Sequence, residues 1–408
     1  MEVWDINRGI RAYTAKSKRF CSCGLSVLFK RELNREEVTK NALLINVLGL
    51  GCKEYPTPSE LAKAAALSYG SGIDCVNMKK GNYQLLEFYT RFVNEGDNVK
   101  NALELLRKVI FEPLAENNAF KEEFLKTAQE MLKSSIRSRK DDKKEYARER
   151  LLEEMFEGQG AGIPGDGFLE DVDPITAEEL YSYYKRVVSQ SEIIITAVGS
   201  FDEEALKRGL RAFDVGGREP KTTVVKSKQA SGKPKEVYEN MEVSQSKLGV
   251  GLKTNADYYE LLCANEIFGG GSQSRLFMKA REKEGLCYYI TSQVLRGLDR
   301  CVLQCGVSEE NAGKIINIIN SELKDMKNTT DAEIERAKEG LVKQYTELSD
   351  SLSAVESFCL SKALWGGADS PEAALNIIKS LKNDSVRNAF DGASVDTIYL
   401  LKRGEATP

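Results

Sequence analysis

Two segments of this chain align without a gap: "SELAKAAALSYG" at 59–70 and "SRLFMKAREKEG" at 274–285. Each opens Ser-x-Leu, continues at helical spacing and ends in glycine, the residue best suited to stop a helix. Each then leads into a strand-like stretch, "YQLLEFYTRFV" at 83–93 and "DRCVLQCGV" at 299–307, with period-two alternation over part of its length. The elements that follow keep step. Val99, Ala102, Leu103, Leu106 and Ile110 form an apolar helical stripe, and Ala312, Ile315, Ile316, Ile319 and Leu323 repeat it in the second half. Charged helices are expected at 120–132 and 332–345. The halves also close alike. "ITAEELYSYYKRVV" precedes the strand "EIIITAVGS", with Thr176 and Glu179 spaced for a capping box, and "DSVRNAF" precedes "TIYLLKRG".

A repeat on this scale leaves one economical fold class, α+β with two homologous domains, each a mostly antiparallel sheet covered by helices. One covered face per sheet is expected. The Gly-, Pro-, Ser- and Lys-rich run "GGREPKTTVVKSKQASGKPK" reads as a junction. The expected division is a first domain at 1–215, a linker at 216–236 and a second domain at 237–408. The charged stretch 134–160 reads as a solvated helical face rather than a binding patch.

The most restrictive fact about chemistry is an absence: none of the 408 residues is histidine. Ser-His-Asp and Cys-His nucleophile systems are therefore impossible within the chain, as are H-E-x-x-H and H-x-x-E-H zinc sites. No G-x-x-x-x-G-K-[ST] phosphate loop occurs either. Nine cysteines include no C-x-x-C pair and read as reduced thiols, several of them buried. A net charge of −4 with interspersed signs argues against a nucleic-acid partner. No apolar run is long enough for a membrane helix, and the N-terminus lacks the pattern of a signal peptide, so a cytoplasmic location is expected.

The second half nevertheless carries an organised motif, "FGGGSQSRLFMKAREKEGLCYYI" at 268–290. A glycine run, then Ser274-Arg275-Leu276-Phe277, then Arg281-Glu282, Gly285-Leu286 and Tyr288 resembles the second-domain motif of insulinase/pitrilysin-type zinc peptidases, in the processing-peptidase-like branch. Members of that family consist of two homologous α+β halves of about this length, so the resemblance covers essentially the whole chain. It implies that Arg281 and Tyr288 bind substrate and stabilise the scissile carbonyl. A guanidinium and a phenol are donors suited to that task. It also places Gly269, Gly270, Gly271 and Ser272 beside the substrate chamber as binding positions. On residue chemistry alone these glycines serve equally well as a turn, through close approach or unusual φ values.

Active relatives carry H-x-x-E-H on an early helix of the first half. Here the corresponding region reads "REEVTKNALLINVLGLGCKEYPT", which puts Ala42, Ile45 and Asn46 at the three degenerate metal positions. The resemblance thus implies no cofactor in this chain, with zinc in a partner: an H-x-x-E-H zinc peptidase subunit of similar length. The expected function is that of a non-catalytic subunit of a heterodimeric zinc metallopeptidase acting on a peptide or protein substrate. It would supply Arg281, Tyr288 and half of the chamber. The alternative is a homodimeric pseudoenzyme that binds peptides or scaffolds a complex without hydrolysis. A third reading, an independent hydrolase built on Cys287 with nearby Lys279, Arg281 and Lys283, has least support, since a small strand residue accounts for Cys287.

Overall fold

In the computed structural model, which describes residues 1–67, 72–221 and 233–404, the two halves of the chain build two sheets wired in the same way. The expected helix stop at Gly70 and residues 222–232 of the linker 216–236 lie outside the described residues. The first half runs β1 (Glu2–Asn7), β2 (Ile10–Lys16), β3 (Ser22–Glu32), α1 (Val38–Gly49), α2 (Pro58–Leu67), β4 (Asp74–Lys80), β5 (Tyr83–Val93) and α3 (Asn98–Phe111). It continues with the short pair β6 (Ala115–Glu116) and β7 (Ala119–Phe120), then α4 (Glu122–Ser138), α5 (Lys143–Met155), α6 (Ala177–Gln190), β8 (Glu192–Gly199) and α7 (Glu203–Leu210). Its main sheet has the order β1-β2-β8-β3-β5-β4, antiparallel except for β2 beside β8. Thr176 caps α6 as expected, its hydroxyl accepting from the Glu179 amide at 3.2 Å.

The second half runs β9 (Lys235–Met241), β10 (Ser246–Lys253), α8 (Tyr258–Asn265), π-helical turns at Glu266–Gly270 and Phe277–Lys283, β11 (Cys287–Leu295), β12 (Arg300–Val307), α9 (Glu309–Asp325), α10 (Asp331–Leu348), α11 (Leu352–Trp365), α12 (Pro371–Ser380), α13 (Asn383–Asn388) and β13 (Ser394–Arg403). The sheet order is β11-β12-β10-β13-β9, with β13 parallel to β9 and the other pairs antiparallel. Read from the free edge, β4-β5-β3-β8-β2 and β11-β12-β10-β13-β9 are the same arrangement, to which the first half adds β1.

The compact units follow these halves with one exchange in each direction. One unit comprises the described residues of 1–137, 163–225 and 348–370, the other those of 138–162, 226–347 and 371–408. Helix α5 thus belongs to the second sheet and α11 to the first. The charged stretch 134–160 differs here from its expected role as a solvated face. Tyr146, Ala147, Leu151, Leu152 and Met155 of α5 are buried, and they pack with Val302, Tyr399 and Leu401. Its charges pair along the remaining surface, Arg139 with Glu149 at 2.8 Å and Glu153 at 2.7 Å. Each sheet consequently has a helix on the face left open by its own half.

The largest core lies in the first unit, where Leu25, Val27 and Phe29 of β3 meet Leu43, Leu44 and Val47 of α1 and Leu106 of α3. Burying a side chain of this size contributes about 1.5–3 kcal/mol. Among the described residues, no helix is long and apolar enough to cross a membrane.

Candidate functional site

The motif of the second half is laid down on a helix that is pinned to the edge strand. At the end of α8, Asn265 donates from Nδ2 to the Ser292 carbonyl at 3.0 Å and accepts from the Ser292 hydroxyl at 2.5 Å. The glycines follow at once, and close approach is what they provide. A Cβ on Gly269 would lie 2.8 Å from that of Ser292, and Cβ atoms on Gly270 and Gly271 would lie 2.8 and 2.6 Å from the Glu266 carboxylate oxygens. Unusual φ values play no part, since none of the three falls in the positive-φ region. Gly269 is buried, whereas Gly270 and Ser272 are exposed. Glu266, which the sequence pattern did not single out, lies directly beneath this bend, and burial pushes its carboxyl above the usual range.

Two arginines of the motif are used differently. Arg275 is locked in place, donating from Nε and Nη2 to the two Glu333 carboxylate oxygens at 2.9 and 3.1 Å and from Nη1 to Asp325 at 3.0 Å. Arg281, two turns further on, makes no side-chain hydrogen bond among the described residues. Its nearest carboxylate is Glu282 at 3.6 Å, and its side chain is 41% exposed. Its guanidinium carbon lies 4.6 Å from the Phe277 ring centroid and 6.0 Å from that of Tyr288. The chain then reverses at Gly285, whose φ of +62° suits glycine, and enters β11.

A bulge sets the direction of Tyr288. Cys287 pairs with Val307 and Tyr289 with Gly306, so Tyr288 is the extra residue on β11. Ile290 and Ser292, of the same parity, are buried, while Tyr288 is 75% exposed. β11 is the free edge of its sheet, and the bulge holds the phenol outward beside Arg281. The two residues named from the motif therefore share one exposed patch with donors uncommitted. Beside it, the Cys305 thiol, hydrogen-bonded to Cys287, and the Arg281 charge outweigh burial and hold the Cys287 thiol below its ordinary range, while the same contact raises Cys305.

Of the three positions on α1 where the resemblance puts metal ligands, Ala42 and Ile45 are part of the core. Ala42 is 1% exposed, Ile45 is fully buried, and Asn46 is half-buried. The polar group that does enter this region, Asn41, is satisfied by protein. It donates to Gln84 at 2.8 Å and accepts from the Tyr183 hydroxyl at 2.7 Å, while Gln84 also donates to the Val38 carbonyl at 3.0 Å. Ala42 and Ile45 carry no donor atoms, so these residues do not fit a zinc ion. Among the described residues, no three His, Cys, Asp or Glu side chains are grouped to hold a metal.

Two similarly wired α+β units, an α1 helix without metal-ligating side chains at Ala42 and Ile45, and an exposed Arg/Tyr pair are the features to set beside known proteins. A family model described as "Peptidase M16 inactive domain" matches residues 174–341 of the chain. It is similar to the "Probable inactive metalloprotease YmfF" of Bacillus subtilis, 28% identical with 99% of this chain and 98% of that one covered. An uncharacterised zinc protease of Streptomyces coelicolor is 25% identical over 80% of this chain and 73% of its own. The fold is shared with a conserved protein from Enterococcus faecalis V583, at a TM-score of 0.88 and 24% identity, covering 100% of this chain and 99% of that one. A peptidase M16 inactive domain from Pseudomonas fluorescens also has it, at a TM-score of 0.80 and 17% identity with the same coverage.

Proposed function

We propose that this chain is the non-catalytic subunit of a heterodimeric zinc metallopeptidase, and that it presents Arg281 and Tyr288 to the substrate of an H-x-x-E-H partner of similar length. The observation that supports this reading is the bulge at Tyr288, which leaves a phenol and a guanidinium side by side on a free sheet edge with unspent donors. Such donors suit a peptide carbonyl or the charge that develops on it. The edge of β11 offers a further row of main-chain groups to an extended peptide. Gly269, Gly270, Gly271 and Ser272 would then line the approach, their small size keeping the bend open.

Co-purification of this chain with an H-x-x-E-H protein, followed by cleavage of a mixed quenched-peptide library, tests the proposal. Zinc-dependent cleavage is expected from the pair and from neither protein alone. Arg281→Ala should abolish most of the turnover without changing the zinc content of the pair. Full turnover in that variant would overturn the role given to Arg281. Stable self-association with peptide binding but no cleavage would favour the homodimeric pseudoenzyme instead.

A further inference from the structure

The exchanged helices supply an internal control, because α5 and α11 occupy the same layer of two equivalent units. In the second unit that layer is filled. Gly249 and Gly251 of β10 have no room for a Cβ, since Leu151 and Met155 of α5 lie 3.0 and 2.6 Å from where it would be. Leu152, Val302, Tyr399 and Leu401 complete an apolar cluster. In the first unit α11 packs Val355 and Cys359 with Val198, and Leu360 and Leu364 with Leu28 and Ile194, but part of the layer stays open. A cavity of about 450 Å³ lies between α11 and the face of β3, β5, β4 and β8.

The residues facing that cavity are unlike those of a packed sheet face. Thr196, Ser26 and Tyr89 lie in register across three neighbouring strands, and Gly24 is opposite Arg91. The Ser26 hydroxyl donates to Glu87 at 2.7 Å. The Tyr89 hydroxyl donates to Glu356 of α11 at 3.2 Å and accepts from Arg91 Nε at 3.0 Å. Gly24 is what seats that carboxylate, for a Cβ there would fall 1.4 Å from Glu356 Oε1. Thr196 is 3% exposed, lines the cavity, and its hydroxyl has no partner among the described residues. Lys80 and Arg91 also reach the lining, yet burial outweighs them and pushes both carboxyls above the usual range. At the other end the hollow is apolar, with Met78, Leu360, Leu364 and Trp365.

We propose that this hollow binds an organic cation, a primary amine or guanidine on an apolar stem. The charged head would lie between Glu87 and Glu356 within reach of Thr196, and the stem along Leu360, Leu364 and Trp365. A volume in the range of small-ligand pockets, apolar walls and a few convergent polar groups fit such a guest. The same head group occurs on a free amine and on a lysine or arginine side chain of a peptide.

Calorimetric titration of the full chain with n-butylamine, n-pentylamine and Nα-acetyl-lysine amide tests this. Binding of at least one is expected, weakened about tenfold or more by Glu356→Gln, the loss of one charge-assisted hydrogen bond. Ser357→Leu, which fills the hollow and leaves the charges in place, should weaken it comparably, with the thermal midpoint of each variant reporting on folding. Binding of the two free amines alone identifies a small-molecule site, and equal binding of the lysine amide identifies a side-chain pocket; either supports the proposal. No binding at millimolar amine overturns it, as does binding that is unchanged in both variants. Should Glu356→Gln not fold, Glu87→Gln and Ser357→Leu carry the same decision.

Discussion

Helix α1 and the turn into β11 are the two places where the resemblance to zinc peptidases puts chemistry, and the structure treats them in opposite ways. On α1 two of the three positions point into the core. Ala42 and Ile45 are packed, and neighbouring Asn41 is tied to Gln84 and Tyr183. At the turn, Arg281 and Tyr288 are on the surface with donors free, although Arg275 of the same motif is clamped by Glu333 and Asp325. A polar side chain left unpaired in a core is costly, so apolar residues at Ala42 and Ile45 are what folding stability alone favours. An exposed arginine with a weak ion pair and an exposed tyrosine contribute little to folding. Stability therefore accounts for α1 and does not account for Arg281 and Tyr288. That asymmetry is what makes the second pair a candidate for function.

The strongest challenge to this comparison is to reverse α1. Ile45→Glu places a charge among Leu43, Leu44 and Val47, and an uncompensated buried charge costs about 3–5 kcal/mol. The triple change Ala42→His, Ile45→Glu and Asn46→His should accordingly lower the unfolding midpoint sharply and yield no zinc-dependent cleavage by the isolated chain. Tight zinc binding with an unchanged midpoint would show that the site is only superficially altered. Next in size, Arg281→Ala should reduce turnover of the proposed heterodimer by about 10²–10³-fold, the typical effect of removing one donor to developing charge. Its stability should stay within about 0.5 kcal/mol of the parent, as for other surface substitutions. A large loss of stability there would move Arg281 into the same class as Arg275.

Much of this was legible in the sequence because the repeat constrained it. The match of 59–70 to 274–285 and the paired helical stripes implied two similar units, and β5 and β12 fall where alternation placed them. The prominence of Arg281 and Tyr288 came from a motif, and their proximity is a matter of structure. The bulge that turns Tyr288 outward has no local signature, since Cys287, Tyr288 and Tyr289 alternate no differently from a regular strand. The exchange of α5 and α11 was equally hidden. A helix records which of its faces is apolar, not which sheet will cover that face, and the abundant charge of 134–160 masked Leu151, Leu152 and Met155. Glu266 was missed because its significance depends on Gly270 and Gly271 folding back over it.

Smaller effects sharpen the contrast further. Tyr183→Phe removes the hydrogen bond to Asn41 and leaves a buried amide oxygen with one partner fewer, which should cost about 1–2 kcal/mol in denaturant unfolding. A cost near zero would mean that water replaces the phenol, and that the α1 region is less closed than its packing implies.

The two arginines of the motif should also separate by pH. Burial opposes ionisation of Glu333, but hydrogen bonds from Arg275 and Thr330 prevail and hold its carboxyl at about 2. In the unfolded chain a glutamate titrates at about 4.3. A group depressed in this way stabilises the fold above its unfolded value, and that contribution is lost as the pH falls through its folded one. Arg275→Ala should therefore lower stability at neutral pH and flatten its decline between about pH 4 and 2, whereas Arg281→Ala should leave the acid limb parallel to that of the parent. Parallel limbs for both variants would mean that Glu333 is held down by Thr330 and the start of α10 alone. The distinction between a structural and an unspent arginine would then rest on turnover alone.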